Sequence, residues 1–177
     1  MKIKHLAVAM GFVLSTLTNI AYAQSPAEMN DLEIAHAAYT ADNIDIRYAH
    51  LALAISTNPD IHEFAKTMIR DHEAVNEQAL ALLKKLNAAP QDNFLSKALT
   101  ENSIKLIDEM SKLRGKEFDK FYAENELAYH KAVNDIVGNA WLPNIDNSEV
   151  KTLFQAGYEI FRAHEKHAEM MVDKLNK

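Results

Sequence analysis

Three histidines stand where their side chains could do chemistry, on the apolar faces of predicted helices. His72 lies in the middle of one apolar helical stripe, and His164 takes the equivalent place in another. His130 lies on the shoulder of a third stripe, four residues after Glu126 and facing the same way. Leaving a buried imidazole without a partner costs about 1–3 kcal/mol, so these rings imply a bound ion or hydrogen-bonded neighbours.

A metal site is the first interpretation of this pattern. Histidine and carboxylate side chains that project inward from facing helices build the metal sites of helical bundles. Asp71, next to His72, could orient a ring as an outer carboxylate. The predicted set contains no catalytic residue and consists of His72, His130, His164, Glu126 and Asp71.

A hydrogen-bonded polar core is the alternative interpretation. His72 would then bond to Asn43, and His164 to Tyr122 or Asn125. Neither interpretation is excluded by the sequence alone.

Carboxylates are predicted to be few at such a site. A di-iron carboxylate centre takes Glu-x-x-His from each of two helices, but the residues three before His72 and His164 are Ile69 and Phe161. The first long helix is predicted to offer no inward carboxylate, with Asp45 pointing away from the core. A histidine-rich site is therefore expected.

The candidate ions are copper, zinc and iron, since imidazole suits all three. The chain contains no cysteine, which excludes thiolate sites and iron–sulfur clusters. Met68 and Met171, near His72 and His164 in sequence, would suit copper, although both also fit ordinary core packing.

Long intervals without proline and with little glycine predict the elements that must position these residues. Four long helices are expected, over about 25–56, 58–88, 116–141 and from about 149 to the C-terminus. Capping boxes are expected at Ser25 with Glu28 and at Asp146 with Glu149. The longer segment 91–115 predicts one or two short amphipathic helices. The fold class is thus all-α, a ferritin-like antiparallel four-helix bundle with short extra helices in the connection between its second and third helices.

The first long helix is predicted to bury a seam of polar residues. His36, Asn43 and His50 are spaced by seven residues, so they stack along one side of that helix. The apolar residues assigned to the same inward face are Met29, Leu32, Tyr39, Ile46 and Leu53.

The N-terminal 23 residues have the layout of a secretory signal peptide. Lys2 and Lys4 precede a short apolar run, and Ala21-Tyr22-Ala23 supplies small residues at a cleavage site. Cleavage after Ala23 would leave one domain, residues 24–177, in the periplasm or outside the cell, with no stable membrane insertion. Loss of the two lysines would take the net charge from −6 to −8. Such an acidic chain is not expected to bind nucleic acid. A homo-oligomer remains possible on the sequence alone.

Three segments resemble an exported bacterial family, domain of unknown function 4142. They read FAKTMIRDH (64–72), GKEFDKFYAENELAYH (115–130) and FRAHEKHAEMM (161–171). The resemblance implies a ferritin-like helical bundle, usually periplasmic, with no established activity. It carries the motif histidines onto His72, His130 and His164, and the motif acid onto Asp71.

The sequence therefore predicts an exported helical-bundle protein that binds a metal through interior histidines. Whether the protein is an enzyme is left open, because no substrate pocket can be derived from helical patterns. The alternative is a non-catalytic envelope stress or interaction protein with a hydrogen-bonded polar core.

Overall fold

The computed structural model describes residues 24–177, and the predicted signal peptide and its cleavage site lie outside them. Five α-helices follow one another with short connections and no β-strand in this range, which confirms the all-helical prediction. Their bounds are α1, Asp31–Ile55; α2, Pro59–Lys85; α3, Phe94–Ser111; α4, Gly115–Ile136; and α5, Ser148–Leu175.

Asparagine side chains cap helices at two starts where the sequence predicts other residues as caps. The Ser25–Glu28 pair closes only a 3-10 turn, Pro26–Glu28, and Asn30 caps α1 by accepting from the Leu32 and Glu33 amides. Asn147, rather than Asp146, caps α5. An asparagine oxygen satisfies the first free amides of a helix as well as an aspartate oxygen does. Residue type therefore does not determine which of the two caps the helix, and the conformation of the preceding turn does.

In the second half of the chain, one element agrees with the prediction and one departs from it. The segment 91–115 forms a single helix, α3, capped by Asn93, which agrees with the prediction of one or two helices there. After α4 the chain widens into one π-helical turn, Val137–Trp141, in which the Leu142 amide donates to the Val137 carbonyl at 2.9 Å.

The helices pack around one apolar interior. α1 contacts α2, α3 and α4, α5 contacts α4 and α2, and a second apolar cluster forms at the end of the molecule near Trp141. The largest fully buried apolar side chains are Tyr48, Tyr122, Phe64, Phe118, Ile34, Ile44, Ile61, Met68, Met110 and Val137. The segment 24–177 includes no helix with the length and apolar character that crossing a membrane requires.

Helix α1 presents a different face to this interior from the predicted one. His50 is exposed, and His36 and Asn43 are only partly buried, whereas Asp42 and Asp45 are buried. The error has a physical reason. Apolar residues lie all round α1, because it packs against α2, α3 and α4 on different sides, so no single stripe defines its inward direction.

Candidate metal centre

Three imidazole rings converge in the interior from three different helices. His72 comes from α2, His130 from α4 and His164 from α5, and each is at most 4% exposed. Their ring centroids are 5.2 Å apart for His72 and His164, 5.5 Å for His130 and His164, and 6.0 Å for His72 and His130. Each ring reaches this point because the apolar stripe of its helix buries the adjacent turns.

Helix α1 adds two carboxylates on either side of His72. The Nδ1 of His72 donates to Asp42 Oδ1 at 2.8 Å, and its Nε2 lies 2.6 Å from Asp45 Oδ2. The same oxygen of Asp45 is 3.6 Å from His130 Nε2, and Asp45 is completely buried. Asp45 therefore faces two of the three rings at once.

Glu126 completes the group from α4, one turn before His130. Its side chain is completely buried, and neither carboxylate oxygen has a hydrogen-bond partner within residues 24–177. Its backbone carbonyl, in contrast, accepts from His130 Nδ1 at 2.9 Å. The side-chain Oε2 of Glu126 also lies 3.9 Å from this nitrogen, so the carbonyl and the carboxylate of one residue are both next to the His130 ring.

Every ring uses one nitrogen for an outer contact and leaves the other free toward the interior. His72 Nδ1 bonds to Asp42, His130 Nδ1 to the Glu126 carbonyl, and His164 Nε2 to Asp71 Oδ2 at 3.0 Å. Seven buried atoms of this cluster have no hydrogen bond within residues 24–177, namely His72 Nε2, His130 Nε2, His164 Nδ1 and both carboxylate oxygens of Asp45 and of Glu126. Since buried polar atoms are almost always bonded, seven unpaired atoms around one point require an explanation.

The electrostatics of this cluster are strongly perturbed. Burial disfavours a charged His72 ring, but the carboxylates of Asp45 and Asp42 outweigh it and raise its pKa to about 10. Burial lowers the pKa of His164 to about 4 and also lowers that of His130. Without a metal, a cationic His72 therefore lies beside two neutral imidazoles.

The pKa values of the Glu126 and Asp45 carboxyl groups are also shifted, in opposite directions. Burial and the adjacent Asp45 carboxylate raise the pKa of Glu126 well above its ordinary value. Burial also opposes ionisation of Asp45, but the charge of His72 prevails and lowers its pKa. Like charges this close cannot both be ionised in a dry interior, so Glu126 holds a proton while Asp45 is charged.

Aromatic side chains close the site against water. Phe161 stacks on His72 with its centroid 5.1 Å away and the planes 13° apart, and Phe64 meets His130 edge-on at 6.4 Å. Tyr129, beside His130, is fixed by its hydroxyl, which donates to the Ala41 carbonyl at 3.0 Å. The apolar walls lower the local dielectric and strengthen every electrostatic interaction inside.

The donor atoms are close enough to share an ion. One set contains a nitrogen from each of His72, His130 and His164, and a second contains Asp45, Glu126 and His130; the atoms within each set lie within 4.8 Å of one another. Donors of one tetrahedral ion with bonds of 2.0–2.1 Å lie about 3.4 Å apart, so the donors of each set would have to draw together by up to roughly 1.4 Å to bind one ion. These buried histidine, aspartate and glutamate groups could hold a metal ion.

The structure brings four of the five sequence-predicted residues into this cluster and places the fifth at its edge. His72, His130, His164 and Glu126 point to a common interior, whereas Asp71 is partly exposed and bonds to the outer nitrogen of His164. Arg70 holds the Asp71 carboxylate through two bonds of 2.7 and 3.0 Å.

Sequence reasoning missed the carboxylates of α1 and the true partners of the rings. Asp45 was expected to point away, and it is completely buried in the cluster instead. His72 bonds to Asp42 rather than to Asn43, whose side chain donates to the Tyr39 carbonyl, and His164 bonds to Asp71 rather than to a residue of α4. The signal that could have found them is the spacing of three between Asp42 and Asp45, which places both on one face of α1.

Comparison with known families assigns the chain to a group. A family model described as Domain of unknown function (DUF4142) matches residues 17–171. The chain belongs to this family. Comparison with curated proteins and with solved structures gives no significant match.

The DUF4142 match includes every residue of the cluster and ends at residue 171, inside α5. It also contains the three segments that carry the sequence resemblance, and each of these ends at or includes one of the three converging histidines.

Proposed function

We propose that this DUF4142 protein is an exported, ferritin-like four-helix bundle that binds one transition-metal ion through His72, His130, His164, Asp45 and Glu126. The observation that carries the proposal is the orientation of the rings. Each points a free nitrogen at the same interior volume and anchors its other nitrogen outside it. A cluster that existed only to satisfy itself by hydrogen bonds would not leave inward-facing atoms of five side chains without one, even with the ion pair between His72 and Asp45.

The outer contacts are those that a metal-binding histidine needs. A ligating imidazole usually donates its second nitrogen to a carboxylate or a backbone carbonyl, which fixes the tautomer and raises the basicity of the ligand. Asp42, the Glu126 carbonyl and Asp71 supply these three acceptors. In this proposal Asp71 does not contact the ion but orients His164, and Asp45 is one of the five residues that bind the ion.

The donor chemistry favours zinc or iron among the candidate ions. Three imidazoles with two carboxylates form a mixed nitrogen and oxygen set, which suits zinc and iron. Copper(I) prefers thiolate and thioether sulfur, and the sulfur-bearing Met68 and Met171 belong to the apolar core cluster.

The bundle and the export belong to the same proposal. The helices that carry the donors, α1, α2, α4 and α5, contact one another in the order expected of an antiparallel bundle, with α3 in the long connection. The predicted leader at residues 1–23 supports export, and the absence of cysteine suits a compartment in which free thiols are oxidised.

Metal content measured after equilibrium dialysis tests the proposal. The purified protein is loaded with zinc and, separately, with iron(II) under anaerobic conditions, and about one ion per chain is expected. His130→Ala and Asp45→Asn should each lose most of the bound ion. His50→Ala, which removes an exposed imidazole from α1, is the matched control and should bind as wild type does.

Sub-stoichiometric metal in the folded wild-type protein, or equal loading of all four proteins, would overturn the metal proposal. The hydrogen-bonded core would then be the better account, and the buried His72–Asp42 pair would be its main support. Circular dichroism on each variant distinguishes loss of binding from loss of the fold.

A further inference from the structure

A partly enclosed apolar crevice runs between α1, α2 and α5, beside the metal cluster. Its volume is about 50 Å³. Its walls come from the three helices in turn, with Ala35 and Ala38 on α1, Val75 and Ala79 on α2, and Leu153 and Phe154 on α5. Binding sites for small molecules are typically concave and mostly apolar, with a few placed polar groups; this crevice has such a lining but is much smaller than most of them.

One end of the crevice is polar and reaches the cluster. Asp42 and Phe161 both line it, and both contact His72, the first by a hydrogen bond and the second by stacking. Asn76, one turn after His72 on α2, also lines it and is 7% exposed. The Oδ1 of Asn76 has no hydrogen-bond partner in the described chain, although an unbonded buried acceptor is costly.

Gly157 is a second sign that the crevice is kept open. It lies inside α5 and lines the crevice, yet glycine in a helix interior costs about 0.5–1 kcal/mol relative to alanine. Neither the backbone conformation of residue 157 nor the neighbouring atoms require a glycine at this position. Its backbone is helical, and a Cβ would meet Phe161 at 3.5 Å and Val75 at 4.0 Å, which are ordinary contacts. The missing methyl group leaves free space in the wall.

We propose that this crevice binds a narrow, uncharged alkyl molecule that carries a terminal hydroxyl group. The apolar walls hold the alkyl chain, and the hydroxyl donates to Asn76 Oδ1 at the inner end. A carboxylate head would meet the Asp42 carboxylate at that end and be repelled. An ammonium head would also lose its hydration at that end at a large cost, and the carboxylate there, Asp42, already pairs with the His72 ring. The site needs no metal, so it can be tested independently of the metal proposal.

The test uses metal-free wild-type protein and follows backbone amide signals by nuclear magnetic resonance during titration with hexan-1-ol. Saturable shifts confined to α1, α2 and α5 around the crevice are expected. From methanol to propan-1-ol, affinity should rise about fourfold per added methylene, and it should level off toward hexan-1-ol, because a crevice of about 50 Å³ encloses only a few carbon atoms and the rest of the chain stays at its open mouth. Pentyl methyl ether, which has the same number of heavy atoms but no donor, should bind several-fold more weakly, and hexanoate more weakly still.

Two variants locate the site. Ala79→Leu should fill the crevice and abolish binding, whereas Ala81→Leu, two residues further along α2 on its exposed side, should leave it unchanged. Gly157→Ala should reduce binding while raising the thermal midpoint, so the loss cannot be attributed to misfolding. Asn76→Ala should remove the preference for the alcohol over the ether.

Several results would overturn the proposal. They are the absence of saturable shifts in wild type, equal binding by Ala79→Leu, equal binding of the ether and the alcohol, and tighter binding of hexanoate or hexylammonium. Since the titration is done in chelator, failure here leaves metal binding standing, and failure of metal loading leaves this site standing.

Discussion

Asp45 Oδ2 on α1 and His72 Nε2 on α2 approach to 2.6 Å in the dry interior, yet the pair lacks the alignment of a hydrogen bond. His130 is near both atoms, because its Nε2 lies 3.6 Å from the same oxygen of Asp45 and its ring centroid lies 6.0 Å from that of His72. An ion pair of this kind is the arrangement that a metal ion would replace, with the ion taking the place of the proton on the ring.

Breaking this pair should be costly even without metal. Asp45→Asn leaves a buried cationic His72 with Asp42 as its single partner, and removing one member of a buried ion pair typically costs about 3–5 kcal/mol. We expect a loss of about 3 kcal/mol in urea unfolding of the metal-free protein. Asp173→Asn, at an exposed position of α5, should change the free energy of unfolding by less than about 0.5 kcal/mol. Equal effects of the two variants would contradict the buried pair.

Alkaline pH should destabilise the metal-free protein through His72. Its folded pKa of about 10 lies above the unfolded value near 6.5, so the folded state holds the proton more tightly. The stabilisation is complete below pH 6.5 and is lost as pH rises toward 10, with a total of about 4–5 kcal/mol. Urea midpoints measured between pH 6.5 and 10 check this, and a flat profile would mean that the ring is neutral in the fold.

Acid should destabilise the metal-free protein through His164. Its folded pKa of about 4 lies below the unfolded value, so between pH 6.5 and 4 the unfolded chain binds the extra proton. Stability should therefore fall by about 3 kcal/mol as pH drops through this range. His164→Gln should reduce this loss of stability between pH 6.5 and 4, and it should leave the loss at alkaline pH that His72 causes unchanged. An unchanged acid limb in that variant would assign the effect to another group.

Metal binding should release two protons per ion near pH 7. His72 must lose its Nε2 proton and Glu126 its carboxyl proton, because both groups are protonated in the metal-free state. Calorimetric titrations in buffers of different ionisation enthalpy measure the number directly. Glu126→Gln should release one proton fewer, and no release from wild type would show that these two groups are not ligands.

The outer contact of His164 should tune affinity without changing stoichiometry. Asp71→Asn keeps an acceptor for His164 Nε2 but removes the charge, and loss of such an outer partner typically weakens metal binding 10–100-fold. Competition with a chelator of known affinity measures the change. Asp135→Asn, at an exposed position of α4 away from the rings, is the control and should leave affinity unchanged.

Much of the fold and part of the site follow from local patterns. The stripes of α2 and α5 have one clear inward direction, so the positions of His72 and His164 could be derived from helical phase, whereas phase placed Glu126 and His130 only on the shoulder of the α4 stripe. Helix α1 has apolar residues on all sides, so the face that it turns to the interior is determined by packing against several neighbouring helices. Asp42 and Asp45 could not be placed for that reason. The convergence of the rings depends on how the helix pairs pack together, which no single helix encodes.

The donors come from four helices and from positions as distant as 45 and 164 in the chain, and the inner five are at most 4% exposed. An ion could therefore neither enter nor leave by simple diffusion along the surface. Its exchange would wait for the helices to part, and dissociation would proceed at the rate of that opening. A protein of this construction would act as a slow store for its ion rather than as a rapid carrier.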